Sequence, residues 1–133
     1  METEIKIEKT INKTSSPVEV AEYIVSVLDS KKAKNIKLLH VEKQTVIADY
    51  FVICSGNSKT QVKSLADEVE FKMSSSGIEP LHVEGGRGDG WILLDYGSVI
   101  VHVFGNETRQ FYDLEKLYDG TTEQDISSLI TED

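Results

Sequence analysis

The residues of this chain that could do chemistry are two glycine-containing turns, one cysteine, three histidines and a scatter of carboxylates. Ser55-Gly56-Asn57-Ser58 stands between an apolar strand pattern and a helical one, where free backbone N–H groups and the helix dipole would welcome an anion. It has neither the lysine of a P-loop nor a three-glycine dinucleotide fingerprint, so a plain strand-to-helix turn explains it better. Residues 85–90, GGRGDG, do not open a helix as a dinucleotide loop must, and read as a surface loop carrying Arg87 and Asp89. Strand, glycine-serine turn and helix also begin a nucleotidyltransferase core. That reaction needs two or three carboxylates on adjacent strands, holding divalent metals about 4 Å apart. Glu84 and Asp95 stand in separate places, and no Asp-x-Asp pair follows the helix. No catalytic residue, no metal site and no cofactor are therefore expected. His40, His82 and His102 each fall singly in a strand pattern, without the close spacing of a zinc pair, and form no Ser-His-Asp order. Cys54 lies in an apolar run and reads as a small buried hydrophobe. As the sole cysteine it allows no internal disulfide, which fits a reducing compartment.

These side chains need a scaffold, and the run WILLDYGSVIVHVFG at residues 91–105 organises it. Neither half shows the polar alternation of a half-solvated sheet, so the run reads as an internal hairpin buried on both faces, with helices covering both sides. Asp95-Tyr96-Gly97-Ser98 supplies the turn, with an Asp able to bond its own backbone and a glycine that takes a positive φ.

Upstream, Ser16, Pro17 and Glu19 spell a capped helix start, and Val20, Ala21, Ile24, Val25 and Leu28 repeat along one face. Lys31, Lys32, Lys34 and Lys37 follow, as lysines do in a last helical turn and on a solvent-facing strand edge. Strands are predicted over 35–41 and 49–55. A helix capped by Ser58 then carries Val62, Leu65, Ala66, Val69 and Met73 inward and closes at Gly77. With a short strand at 81–84 this makes a right-handed βαβ crossover. A last helix from Asn106 turns Phe111, Leu114, Leu117 and Tyr118 inward and stops at Gly120. The predicted order is α-β-β-α-β-β-β-α, an α/β mixed-sheet sandwich. Residues 1–14 read as a mobile leader, 15–119 as a single domain and 120–133 as an acidic polar tail that frays.

Charge narrows the partners. The chain has 14 Lys and Arg against 23 Asp and Glu, for a formal net charge of -9, and the last fifteen residues carry five of the carboxylates and no Lys or Arg. Affinity for phosphate backbones comes mainly from Lys and Arg, so no DNA is expected and a basic protein partner is. No apolar run approaches the roughly 18 residues of a membrane span, and the N-terminus lacks a signal-peptide core. A cytoplasmic protein without membrane contact is expected.

The segments DYFVICSGNSKTQV (49–62), HVEG (82–85), WILLDYGSVIVHVF (91–104) and RQFYDLEKLY (109–118) resemble the ribosomal silencing factor family, also called the iojap or RsfS family, in order and at its spacing. The resemblance covers residues 17–118. It implies a nucleotidyltransferase-like fold without catalytic carboxylates, and binding to the large ribosomal subunit through its ribosomal protein fourteen. That binding would block joining of the small subunit and slow translation when nutrients run short. Glu84, Trp91, Asp95, Tyr96, Gly97, His102, Arg109, Tyr112, Leu114 and Glu115 stand where the family has the same or a closely related residue. The family often ends its last helix in Leu-Trp, where this chain has Leu117-Tyr118. On this reading Glu84, Asp89 and Asp95 are candidate counterparts of basic residues, and Arg109 is a further candidate partner-binding residue. Trp91, Tyr96, Tyr112, Leu117 and Tyr118 are candidate apolar and aromatic anchors, and the resemblance also suggests a homodimer. Two rivals stay open: a metal-dependent nucleotidyltransferase-like enzyme, and an anion or small-ligand sensor using the Ser55–Ser58 turn.

Overall fold

The structure is a computed structural model and describes residues 11–86, 90–118 and 122–131. Helix α1 is Pro17–Ser30, opened by a full capping box. Ser16 Oγ accepts from the Glu19 N–H at 3.3 Å, and Glu19 Oε1 accepts from the Ser16 N–H at 2.9 Å. Strands β1 (Lys34–His40) and β2 (Tyr50–Gly56) lead to helix α2 (Lys59–Ser75), whose first turn is held by Ser58 Oγ accepting from the Gln61 N–H. Strands β3 (His82–Gly85), β4 (Trp91–Asp95) and β5 (Val99–Gly105) follow. Short helices α3 (Asn106–Tyr112) and α4 (Leu114–Leu117), strand β6 (Thr122–Glu123) and a 3₁₀ turn at Ser127–Leu129 end the described chain.

The strands form one mixed sheet in the order β3-β4-β5-β2-β1-β6. β2 and β5 run parallel, from Tyr50 opposite Val99 to Gly56 opposite Gly105, and the other described pairs are antiparallel. The mixed-sheet sandwich is thus present. The crossover from β2 through α2 reaches β3 at the far edge, with β5 and β4 lying between.

Because side chains alternate across a strand, the sheet has two separate cores. On one face α1 and α2 bury Ile24, Leu28, Val69 and Met73 against Leu38, Val52, Leu94 and Val101. On the other, Leu39, Val41, Phe51, Ile53, Ile100 and Phe104 pack together with Leu114. Among the described residues, the helices on that second face are the two short ones, of which α3 packs over β5 and β2. The predicted two-sided burial therefore holds for β5 and not for β4. In β4, Ile92 and Leu94 are buried, whereas Trp91, Leu93 and Asp95 remain half-exposed. The cause is position, since β4 is followed by the exposed four-residue edge strand β3.

Two further expectations change. The last helix does not run through, because Asp113 takes a left-handed conformation (φ 48°) and breaks it into α3 and α4. The break rotates Phe111 and Leu117 outward, to 80% and 70% exposure, while Leu114 stays buried. Residues 122–131 do not fray. Thr122 and Glu123 pair with β1, Lys37 and Glu123 form an ion pair, and Ile126, Leu129 and Ile130 pack on the first core. The Thr131 N–H donates to Asp29 Oδ2 at 2.9 Å. Near the N-terminus Ile11 is also buried. Gly120 lies outside the described residues.

Candidate functional site

The thinly covered face gathers most of the candidate residues. Antiparallel register sets Trp91 opposite Phe104 and Leu93 opposite His102, and sets His82 and Glu84 of β3 opposite Asp95 and Leu93. Directly paired residues share a face. His82, Glu84, Trp91, Leu93, Asp95, Ile100, His102 and Phe104 therefore project to the same side, continued on β2 by Phe51, Ile53 and Ser55.

Aromatic rings cluster at its centre. The Trp91 indole lies 4.8 Å from the ring of Phe104 and 4.7 Å from that of Tyr112. Its Nε1–H donates to His102 Nδ1 at 3.3 Å. His102 is buried, with Phe51 meeting it edge-on at 4.8 Å, and Tyr118 meets Phe51 at 4.9 Å from the other side. Burial pushes the His102 pKa down to about 4, so the ring is neutral. Around this centre Phe111, Tyr112 and Leu117 stand exposed on α3 and α4. Phe111 continues the aromatic surface outward from Tyr112, whose ring it meets edge-on at 5.0 Å.

Carboxylates line the β3 edge of the face. Glu84 is exposed, with Oε2 at 2.7 Å from His82 Nε2. Asp95 is half-exposed, and its Oδ1 accepts from the Gly97 N–H at 2.8 Å, so one oxygen serves the hairpin turn. Gly97 itself takes a φ of 88°. A β-branched residue there would be strained.

Two candidates are not part of the exposed patch. Arg109 is buried and fully engaged inside the protein. Its Nη1 donates to the Asn35 carbonyl (2.7 Å) and Ser55 Oγ (2.8 Å), and its Nη2 and Nε donate to Glu115 Oε2 (2.6 and 3.1 Å). The Asn35 carbonyl is turned toward it by an irregularity in β1, where Asn35 has a φ of 49°. Burial pushes the Glu115 carboxyl up, but the hydrogen bond and charge of Arg109 outweigh it and hold the group below the usual carboxylate range. Arg109 thereby clamps α3 and α4 onto the end of β2. Tyr96 packs against the first core, on the α1 and α2 side. Its hydroxyl is buried without a hydrogen-bond partner among the described residues, and burial, then Glu70 and Glu79, raise its pKa. Asp89 and Arg87 lie outside the described residues.

The Ser55–Ser58 turn is tied to the first turn of α2 by side-chain hydrogen bonds. The Asn57 N–H donates to Gln61 Oε1, and the Gln61 N–H to Ser58 Oγ. Cys54 is buried, which pushes its thiol pKa up to about 12. Among the described residues no group of three or more His, Cys, Asp or Glu could hold a metal ion, and no helix is long and apolar enough to cross a membrane.

Sequence reasoning missed Phe111 as an exposed residue and His102 as the partner of Trp91. The second was within reach: counting back from the turn at 96–98 sets 93 opposite 102, one pleat from Trp91.

A family model described as "Ribosomal silencing factor during starvation" matches residues 14–133. The chain is 36% identical over 113 residues to a protein of Halalkalibacterium halodurans named ribosomal silencing factor RsfS, covering 85% of this chain and 97% of that one. A mouse protein named mitochondrial assembly of ribosomal large subunit protein 1 is 33% identical over 98 residues, 71% of this chain and 43% of the mouse protein. A crystal structure of a Chromobacterium violaceum protein superposes with a TM-score of 0.77 at 31% identity, covering 81% of this chain and 90% of that one.

Proposed function

Since this chain belongs to the ribosomal silencing factor family, we propose that it binds the large ribosomal subunit through the open aromatic face and silences translation by occupying the surface where the small subunit docks. The contact is with ribosomal protein fourteen, and the setting is nutrient limitation in the cytoplasm. The supporting observation is the face itself. Trp91, Tyr112, Phe111 and Leu117 form an apolar patch with Glu84 and Asp95 at its rim, which suits a basic, ribosomal protein surface. Tyr118 supports the patch from beneath through Phe51. Arg109 and Tyr96 act indirectly, the first by holding α3 and α4, the second by anchoring the hairpin turn.

Occupancy needs no chemistry. An interface of roughly 1,600 Å² in total holds a protein of this size with useful affinity, and bulk alone then excludes the other subunit. On this reading the protein is not an enzyme and carries no cofactor. A homodimer is compatible with the reading, because strand β3 is exposed along its length, but blocking does not require one.

Cosedimentation tests the proposal. The protein is expected to pellet with isolated large subunits, not with small subunits, and not with joined ribosomes. Binding to joined ribosomes as strong as to free large subunits would contradict it.

A further inference from the structure

By packing logic alone His102 is a poor core residue. It is 4% exposed on β5 among Phe51, Trp91 and Phe104, where a phenylalanine would fill the space with no polar atom to satisfy. Its Nε2 has no hydrogen-bond partner among the described residues, and an unmade bond at a buried donor is destabilising. Its Nδ1, by contrast, accepts from the Trp91 indole. Since Nδ1 accepts and burial keeps the ring neutral, the proton sits on Nε2. What the histidine supplies that a phenylalanine cannot is one acceptor for Trp91. An indole N–H only donates, so a single acceptor beneath it selects one orientation of the ring.

We propose that His102 is a positioning residue of the docking face: through Nδ1 it fixes the Trp91 indole, and through the indole the Tyr112 ring packed on it, in the arrangement a partner surface meets. The functional half of this rests on the reading of the face as the docking surface. The structural half does not. Trp91 is half-exposed, and its contacts with Phe104 and Tyr112 are ring packing without a fixed direction, so the hydrogen bond to His102 is what selects one orientation of the indole among those the packing allows. Tyr112, 49% exposed and 4.7 Å from the indole, follows that orientation.

Trp91 is the only tryptophan in the chain, so its fluorescence reports this ring alone. His102→Phe keeps the aromatic bulk and removes the acceptor, whereas His102→Asn sets an amide oxygen near the place of Nδ1. In the free protein His102→Phe is expected to raise acrylamide quenching of Trp91 about twofold, with melting at or above the wild-type temperature. It is also expected to weaken large-subunit binding about tenfold, with His102→Asn recovering much of both effects. Wild-type quenching in His102→Phe overturns the proposal, and so does altered quenching with unchanged affinity. If wild-type protein fails to bind large subunits while quenching responds as expected, the docking reading falls and the fixing of Trp91 stands. A measurement without substitution covers the case in which His102→Phe does not fold. The Trp91 indole N–H resonance should exchange slowly with solvent and couple to an imidazole nitrogen; fast exchange without coupling overturns the proposal.

Discussion

His102 and Arg109 show how burial turns a chemically active side chain into a structural one. The His102 pKa falls to about 4 in the folded protein against 6.5 unperturbed, so the unfolded chain binds the proton more readily. Stability from this group is therefore complete above pH 6.5 and declines as pH falls toward 4. The total loss is about 3 kcal/mol from the shift. Urea melts across that window should show the slope, and His102→Asn should flatten it. Arg109 makes a different prediction. Removing it strands the half-buried Glu115 carboxylate and two acceptors, so Arg109→Met should destabilise by about 2 to 4 kcal/mol, readable by denaturant midpoint. Adding Glu115→Leu should recover part of that. Arg109 was legible in the sequence as important but not as internal. A charge placed between Thr108 and Gln110 looks solvent-facing until the fold brings Ser55 and Asn35 to it from 54 and 74 residues away.

Local signals carried the elements well. Ser16 with Glu19 and Ser58 with Gln61 mark the starts of α1 and α2, because a cap is written within four residues and needs no tertiary context. The break at Asp113 was not legible. Aspartate is among the residues that enter a left-handed conformation most readily, yet most aspartates do not, and the Arg109–Glu115 pair that spans the break here is a tertiary contact the sequence does not display. Asp113→Gly should accordingly leave stability within about 1 kcal/mol, whereas Asp113→Val should cost about 1 to 2 kcal/mol, since a β-branched residue at positive φ is strained. Thermal melting of the two variants checks this, and equal melting temperatures would contradict it. Strand β6 was missed because two residues carry no period, and its place is set by pairing with β1 and by the ion pair to Lys37. The one-sided exposure of β4 escaped for a related reason, since WILLD reads as fully buried until its edge position is known.

At the scale of the whole molecule, the sheet spends its two sides differently. Two long helices seal one face, and two short ones leave the other open around Trp91, Tyr112, Phe111 and Leu117, with Glu84 and Asp95 at its edge. The family and the mixed sheet were legible in the sequence, but the extent of the open patch was not, because Phe111 and Leu117 depend on the helix break. If the acidic rim meets a basic partner, Glu84→Lys should weaken large-subunit binding more than Glu84→Gln, and the wild-type affinity should fall as salt rises. Equal effects of the two substitutions would remove charge from the account. The most direct measurement is subunit joining followed by light scattering, with large subunits preincubated with the protein before small subunits are added. The account predicts that joined particles decrease in proportion to occupancy by wild-type protein, and that a folded Trp91→Ala, Tyr112→Ala variant restores joining. Unchanged joining at saturating wild-type protein, or full inhibition by the double variant, would contradict it.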